Sequence, residues 1–143
     1  MRIENRISIK RSIADVFAFI SDFQNLPKWN RHILSVDVES SSSVGVGSRH
    51  HQVRRNDEHL FEITTYDPSR QLAIRRDPTT LPDLTIGYLL EARGDSTILI
   101  ESLELRMVGF VHRVAQGVAR RQIRLSARRN LGELRRLLEA AQV

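Results

Sequence analysis

The chain has 143 residues, with 20 Arg and 2 Lys against 17 acidic residues for a formal net charge of +5, and no cysteine. That is one domain's worth of sequence, and the missing cysteines exclude disulfides, thiolate zinc sites, cysteine nucleophiles and iron–sulfur clusters together. No apolar run approaches the ~20 residues of a membrane span and no charged-then-apolar leader follows Met1, so a soluble cytoplasmic protein is expected, with a basic surface (pI ≈ 10.6) that permits anionic partners.

From Arg2 to Lys10, Ile3, Asn5, Ile7 and Ile9 alternate with Arg2, Arg6 and Ser8, a period of two that predicts a strand. Ser12 stands where a helix N-cap belongs, near Asp15, and Ile13, Val16, Phe17 and Ile20 recur at helical spacing, which predicts a helix to Ser21. Ser21 or Asp22 caps a second short helix that Pro27 ends or bends, and the only tryptophan, Trp29, follows. Leu34, Val36 and Val38 then alternate with Ser35, Asp37 and Glu39 up to the serine run Ser40–Ser43 and Gly45 and Gly47, which reads as strand and turn. Extended segments follow at Ser48–Arg55, Glu58–Tyr66, Gln71–Arg76, Leu84–Ala92 and Thr97–Met107, separated by turn residues, Pro78 to Pro82 among them. Short strands without helices between them predict an antiparallel meander. After Gly109 a proline-free stretch rich in Arg, Leu and Ala, from about Val111 to Ala141, predicts one long terminal helix. With no repeat or linker, residues 1–143 are expected to form a single α+β domain of seven strands, two short helices after the first, and a long helix lying across the sheet.

Several stretches resemble a known family. Ile7 to Phe17, followed by Asp22-Phe23, Pro27 and Trp29, is similar to the opening of the polyketide cyclase/dehydrase-like proteins of the START-related, helix-grip (SRPBCC) superfamily. Gly47 to Arg55 with Tyr66 to Leu72 resembles the family's middle strands. Thr97 to Leu105 and Arg120 to Leu138 resemble its last strand and terminal helix, so the likeness covers nearly the whole chain. The resemblance implies a curved antiparallel sheet wrapped around the terminal helix, enclosing a largely apolar cavity. It does not imply one activity, since members include lipid carriers, aromatic cyclases and dehydrases.

Strand parity then nominates residues for the cavity. Leu84, Ile86, Tyr88 and Leu90 share one face, and Thr97, Leu99, Glu101, Leu103 and Leu105 another. Glu101 is the exception in its row. Facing inward, it would have its carboxyl hydrogen-bonded or its pKa raised, either of which suits a general acid/base; Ile98 and Ile100 on the opposite parity leave open that it faces solvent. His50 stands where relatives carry an apolar or aromatic inward residue, with Gln52 and Arg54 on its side. It is the other candidate catalytic residue, and Gln52, Arg54 or Tyr88 would hold a ligand's oxygen, with or without reaction. His50 and His51 point to opposite strand faces, and His32, His59 and His112 have no partner at ligand spacing, so no metal is expected. Gly45-Val46-Gly47 lacks the third glycine of a nucleotide loop, and no cofactor is expected.

On the terminal helix, Val111, Val114, Val118, Gln122 and Leu125 form one stripe and Ala127, Leu131, Leu134 and Leu138 a second. The first half is expected to roof the cavity, contributing Val118, Gln122 and Ser126, while the second packs on the sheet. Most of Arg113, Arg120, Arg121, Arg124, Arg128, Arg129, Arg135 and Arg136 fall on one basic flank without interleaved aromatics, which reads as a solvated face rather than a nucleic-acid surface. The expected function is binding of a small, mainly apolar ligand (a polyketide, aromatic or lipid-like molecule), with cyclase or dehydrase chemistry, carriage or sensing, or an interaction through the arginine flank as the alternatives. A monomer and a homodimer both fit.

Overall fold

The computed structural model of the protein describes residues 1–39, 44–79, 83–106 and 113–141, with the backbone alone for 113–115. The serine run 40–43, the stretch Thr80-Leu81-Pro82 and the start expected at Val111 lie outside the described residues. Seven strands, β1 (Arg2–Ile9), β2 (Ile33–Val38), β3 (Arg49–Arg54), β4 (Glu58–Asp67), β5 (Gln71–Arg76), β6 (Asp83–Arg93) and β7 (Ser96–Arg106), form one antiparallel sheet in the order β1-β7-β6-β5-β4-β3-β2. Helix α1 (Ile13–Ser21), a 3₁₀ turn (Phe23–Asn25) and α2 (Leu26–Trp29) connect β1 to β2, and α3 (Arg113–Ala140) closes the chain. This is the helix-grip architecture that the sequence implies.

Local chemistry explains the boundaries. The Ser12 hydroxyl accepts from the Asp15 amide at 3.2 Å and opens α1, while the Asp22 carboxylate accepts from the Gln24 amide at 3.1 Å and opens the 3₁₀ turn. Pro27 does not end a helix as its restriction on Leu26 suggests. It occupies the first turn of α2, where a missing N–H costs nothing. Gly94, with φ +58°, and Asp95 join β6 to β7 through a two-residue hairpin that starts on glycine. Irregular register at Ile33/Ser35 in β2 and at Ile63/Thr65 in β4 adds a residue to one strand of each pair, the device that bends a sheet.

The concave face is lined by alternate residues of every strand, Ile3, Ile9, Val36, Phe61, Ile63, Leu72, Ile74, Leu90 and Leu99 among them, all buried. Against it pack Val16, Phe17 and Ile20 of α1, Leu26 and Trp29 of α2, and Leu131, Leu134 and Leu138 of α3. The C-terminal end of α3 is tied down: Arg11 donates to the Leu138 carbonyl at 2.7 Å and the Glu139 carboxylate accepts from the Lys10 amide at 3.1 Å.

The first half of α3 departs from expectation. Val118 is 58% exposed and Leu125 50% exposed, on the far side of the helix from the sheet. At 100° per residue, Val118 and Leu125 lie nearly opposite Ala127, Leu134 and Leu138. A straight helix can turn only one of those stripes inward, and the longer one, continued backwards through Asn130 and Ile123, wins. No helix among the described residues is long and apolar enough to cross a membrane.

Candidate functional site

Between the sheet and the middle of α3 is a cavity of about 520 Å³, partly open to solvent. Its floor is Leu84, Ile86 and Tyr88 of β6 with Glu101, Leu103 and Leu105 of β7. Ile3 of β1, Trp29 beside it, and Gln122, Ile123, Ser126, Ala127 and Asn130 of α3 complete the walls. The sequence dictates this floor, because the inward parity of β6 and β7 places apolar side chains at every second position except Tyr88 and Glu101.

Those two are direct cross-strand partners, and Asn5 of β1 is the partner of Glu101 on its other side. A polar row Asn5–Glu101–Tyr88 therefore crosses three strands of an apolar surface. Glu101 is 5% exposed, and burial pushes its carboxyl up to about 7, against the downward pull of the hydrogen bond from the Tyr88 phenol. The Tyr88 phenol is raised well above its ordinary value, first by burial and then by the neighbouring carboxylate, so it stays a neutral donor. The Asn5 amide is buried with neither its nitrogen nor its oxygen hydrogen-bonded to protein, and the same holds for Trp29 Nε1. Trp29 packs edge-on against Tyr88, with ring centroids 6.4 Å apart.

The other end of the cavity is cationic. Arg54 of β3 and Arg76 of β5 both line it, and Arg76 is 7% exposed, its guanidinium 5.8 Å from the Phe61 ring centroid. Burial, then the positive charge of Arg54, lowers the Arg76 pKa. At the rim, His32 Nε2 lies 2.9 Å from the Ser126 hydroxyl, a link from the α2–β2 connection to α3 across the mouth. Burial and then Arg54, Arg31 and Arg129 lower the His32 pKa. Among the described residues, no three His, Asp or Glu side chains converge as a metal site.

The structure places the sequence candidates in three groups. Glu101, Tyr88, Arg54, Gln122 and Ser126 line this cavity. His50 and Gln52 do not. His50 is stacked on Phe23 of the 3₁₀ turn (centroids 4.2 Å, interplanar angle 13°) and on Phe61 (5.8 Å, 14°), beside a separate space of about 190 Å³. Its Nε2 accepts from Gln52 Nε2 at 3.1 Å, which requires a neutral ring, and burial lowers its pKa to about 4. The polar line expected from His50 through Arg54 is thus cut where Phe23 closes over His50, leaving only Arg54 on the main cavity. Val118 is the third case, turned to solvent by the helix phase described above.

Sequence reasoning passed over Asn5, Trp29, His32, Arg76 and Asn130. Two of these carried a readable signal: Asn5 sits on the inward parity of Ile3, Ile7 and Ile9, and Arg76 on that of Leu72 and Ile74. His32 and Asn130 reach the cavity only through the way the connection and the helix fold over it.

Comparison with known proteins agrees with this architecture. A family model described as "Polyketide cyclase / dehydrase and lipid transport" matches residues 1–139. No curated protein matches. A crystal structure of a protein from Thermus thermophilus is similar over 100% of both chains at 13% identity, with a TM-score of 0.79. The Aha1 protein of Colwellia psychrerythraea, solved as a dimer in solution, is 18% identical over 100% of this chain and 99% of its own, with a TM-score of 0.73. The di-domain ARO/CYC protein BexL of the BE-7585A biosynthetic pathway is 14% identical over 95% of this chain and 45% of its own, with a TM-score of 0.76. At these identities the likeness is one of fold, and with the family match over nearly the whole length it follows that the chain belongs to the polyketide cyclase/dehydrase and lipid transport family.

Proposed function

We propose that the protein binds a small, mainly apolar molecule of polyketide, aromatic or lipid-like character in the cavity between sheet and α3, with a carbonyl or hydroxyl of the ligand against Glu101 and Tyr88. The observation that carries this reading is Glu101: a buried carboxyl set in the apolar floor that β6 and β7 give the cavity, bonded to the Tyr88 phenol and with its pKa pushed up to about 7 by burial. A protonated Glu101 donates to a carbonyl and an ionised one accepts from a hydroxyl, so the pair suits either group. The Asn5 amide, buried without a protein partner, stands beside Glu101 in the sheet, and the Trp29 ring lines the cavity next to Tyr88. The apolar walls provide affinity at about 25 cal/mol per Å² covered, and a cavity of about 520 Å³ is of the size that holds a drug-sized molecule. Gln122 and Ser126 meet the part of the ligand nearest the mouth.

A second reading is favoured by the same carboxyl. The ionised carboxylate can take a proton alpha to a ligand carbonyl; the enolate carbon bonds to a second carbonyl carbon, whose oxygen takes up that proton, and a second alpha proton taken by Glu101 passes to the departing hydroxyl as water leaves and the C=C bond forms. Glu101 is then the catalytic residue, and once it has taken the proton the Tyr88 O–H that it held turns to the enolate oxygen, while His50 supports the wall and does not touch the ligand.

Native mass spectrometry of the protein purified from its own cells, followed by identification of what denaturation releases, tests the first reading; a retained aromatic, polyketide-like or lipid compound is expected. With that compound, Y88F and E101Q should each weaken binding by about tenfold. If the compound is converted, E101Q should abolish turnover while binding persists; retained turnover would leave a carrier or sensor. Empty protein whose bound partner maps to the arginine flank would overturn the cavity reading.

A further inference from the structure

The two polar ends of the cavity have different chemistry, and the difference specifies the ligand further. This step rests on the cavity being the binding site. At the Glu101 end the polar groups are a carboxyl and a phenol, with no positive charge among them. At the other end two guanidiniums, Arg54 and Arg76, face the same space, close enough that the charge on one perturbs the other. His32 at the rim feels Arg54, Arg31 and Arg129 as well, so the positive potential extends to the mouth. The acid nearest Arg54 is Asp57, whose carboxylate lies 3.6 Å from Arg54 Nε and is shared with His59 at 2.9 Å. Asp57 does not line the cavity, and Glu101 is the one carboxyl among the lining residues.

Register gives the spacing. Tyr88 pairs with Glu101, Ile86 with both Leu103 and Ile74, and Arg76 lies two places beyond Ile74 on the same inward parity. From the Glu101 row to the Arg76 row is four residues, about 13 Å along the strands at ~3.3 Å per residue, shortened by the reach of the arginine side chain. The floor between the two rows is apolar.

We propose that the ligand is a carboxylic acid: an apolar body roughly 10 Å long, its carboxylate between Arg54 and Arg76 and a hydroxyl or carbonyl at the opposite end against Glu101 and Tyr88. A guanidinium pair provides planar, charge-assisted hydrogen bonds that a carboxylate matches and an ester or amide does not. The arrangement also sets orientation, because a ligand entered the other way round would put its carboxylate beside Glu101 in a dry apolar setting and leave two arginines facing hydrocarbon.

The test uses a hydroxynaphthoic acid with its hydroxyl and carboxyl at opposite ends of the ring system and, for comparison, its methyl ester, with quenching of Trp29 as the signal. The acid is expected to bind at least about tenfold tighter than the ester at low salt. R54Q and R76Q should each remove most of that advantage, the acid losing several-fold more affinity than the ester, and R70Q, on an exposed arginine outside the cavity lining, should change neither. Should R76Q fail to fold, as loss of its packing on Phe61 permits, R54Q carries the comparison, since Arg54 is more exposed. Equal affinity for acid and ester would overturn this inference and leave the cavity reading intact. A preference for the acid that survives both R54Q and R76Q would overturn it too, tracing the preference to the general basic surface. If neither probe reaches Trp29, the cavity reading falls and this inference with it.

Discussion

Glu101 and His50 are both buried titratable groups, and burial moves them in opposite directions. Glu101 goes from 4.5 to about 7 and His50 from 6.5 to about 4. For Glu101 the folded state holds its proton longer than the unfolded state, so stability falls as pH rises from 4.5 to about 7 and is level above. For His50 the unfolded state gains its proton first, so stability falls as pH drops from 6.5 to about 4. Each effect is worth about 1.4 kcal/mol per pH unit within its window, on the order of 3 kcal/mol in all, and between 4.5 and 6.5 the two largely cancel. Urea denaturation across pH 4 to 8 checks this through differences between variant and wild type, which cancel the contributions of carboxylates held low by their partners, such as Asp15 beside Arg11 and Asp83 beside Arg75. E101Q should gain relative stability with rising pH, whereas H50F/Q52L, which keeps the stack between Phe23 and Phe61, should gain it with falling pH. Parallel profiles would mean that neither group is shifted. At this scale the sequence was partly legible. Glu101 could be read as the exception in the row of Leu99, Leu103 and Leu105, but Ile98 and Ile100 on the opposite parity left its face open, and His50 could be assigned to one cavity or another only by knowing that Phe23 lies on it.

α3 shows how an element can be predicted correctly and still be turned the wrong way. Its existence follows from a proline-free run of strong helix formers, and the hairpins between neighbouring strands make the order of β2 to β7 nearly obligatory. Its rotation was ambiguous because Val118 and Leu125 compete with Leu131, Leu134 and Leu138, and only the docking of the C-terminal half decides between them. The difference is measurable. Leu134 is 0% exposed, and L134A should cost about 2 to 5 kcal/mol in urea denaturation, whereas V118A should stay within about 0.5 kcal/mol. A large effect of V118A would mean that this face is covered in solution.

For the whole molecule, the excess of arginine separates into two populations that composition cannot distinguish. Arg54 and Arg76 are built into the cavity, while Arg120, Arg121 and Arg128 stand in solvent on α3. Reversing those three to glutamate should leave binding of a cavity ligand within about twofold in calorimetry at moderate salt, where exposed charges beyond ~8–10 Å are screened. A larger loss would make the helix surface part of the site. The manner in which α3 is fastened also gives the binding site a mechanical gradient. The helix is clamped from Leu131 to Leu138 by the core and by Arg11, and over the cavity its bond to the α2–β2 connection is that of His32 to Ser126. These fastenings are concentrated toward its C-terminal end: a tilt of ~5° about Leu131 moves Gln122, about 14 Å along the axis, by ~1.2 Å while the floor at Glu101 stays still. Selectivity should therefore be graded along the ligand, strict for the atoms seated against the sheet and permissive for those beneath Gln122.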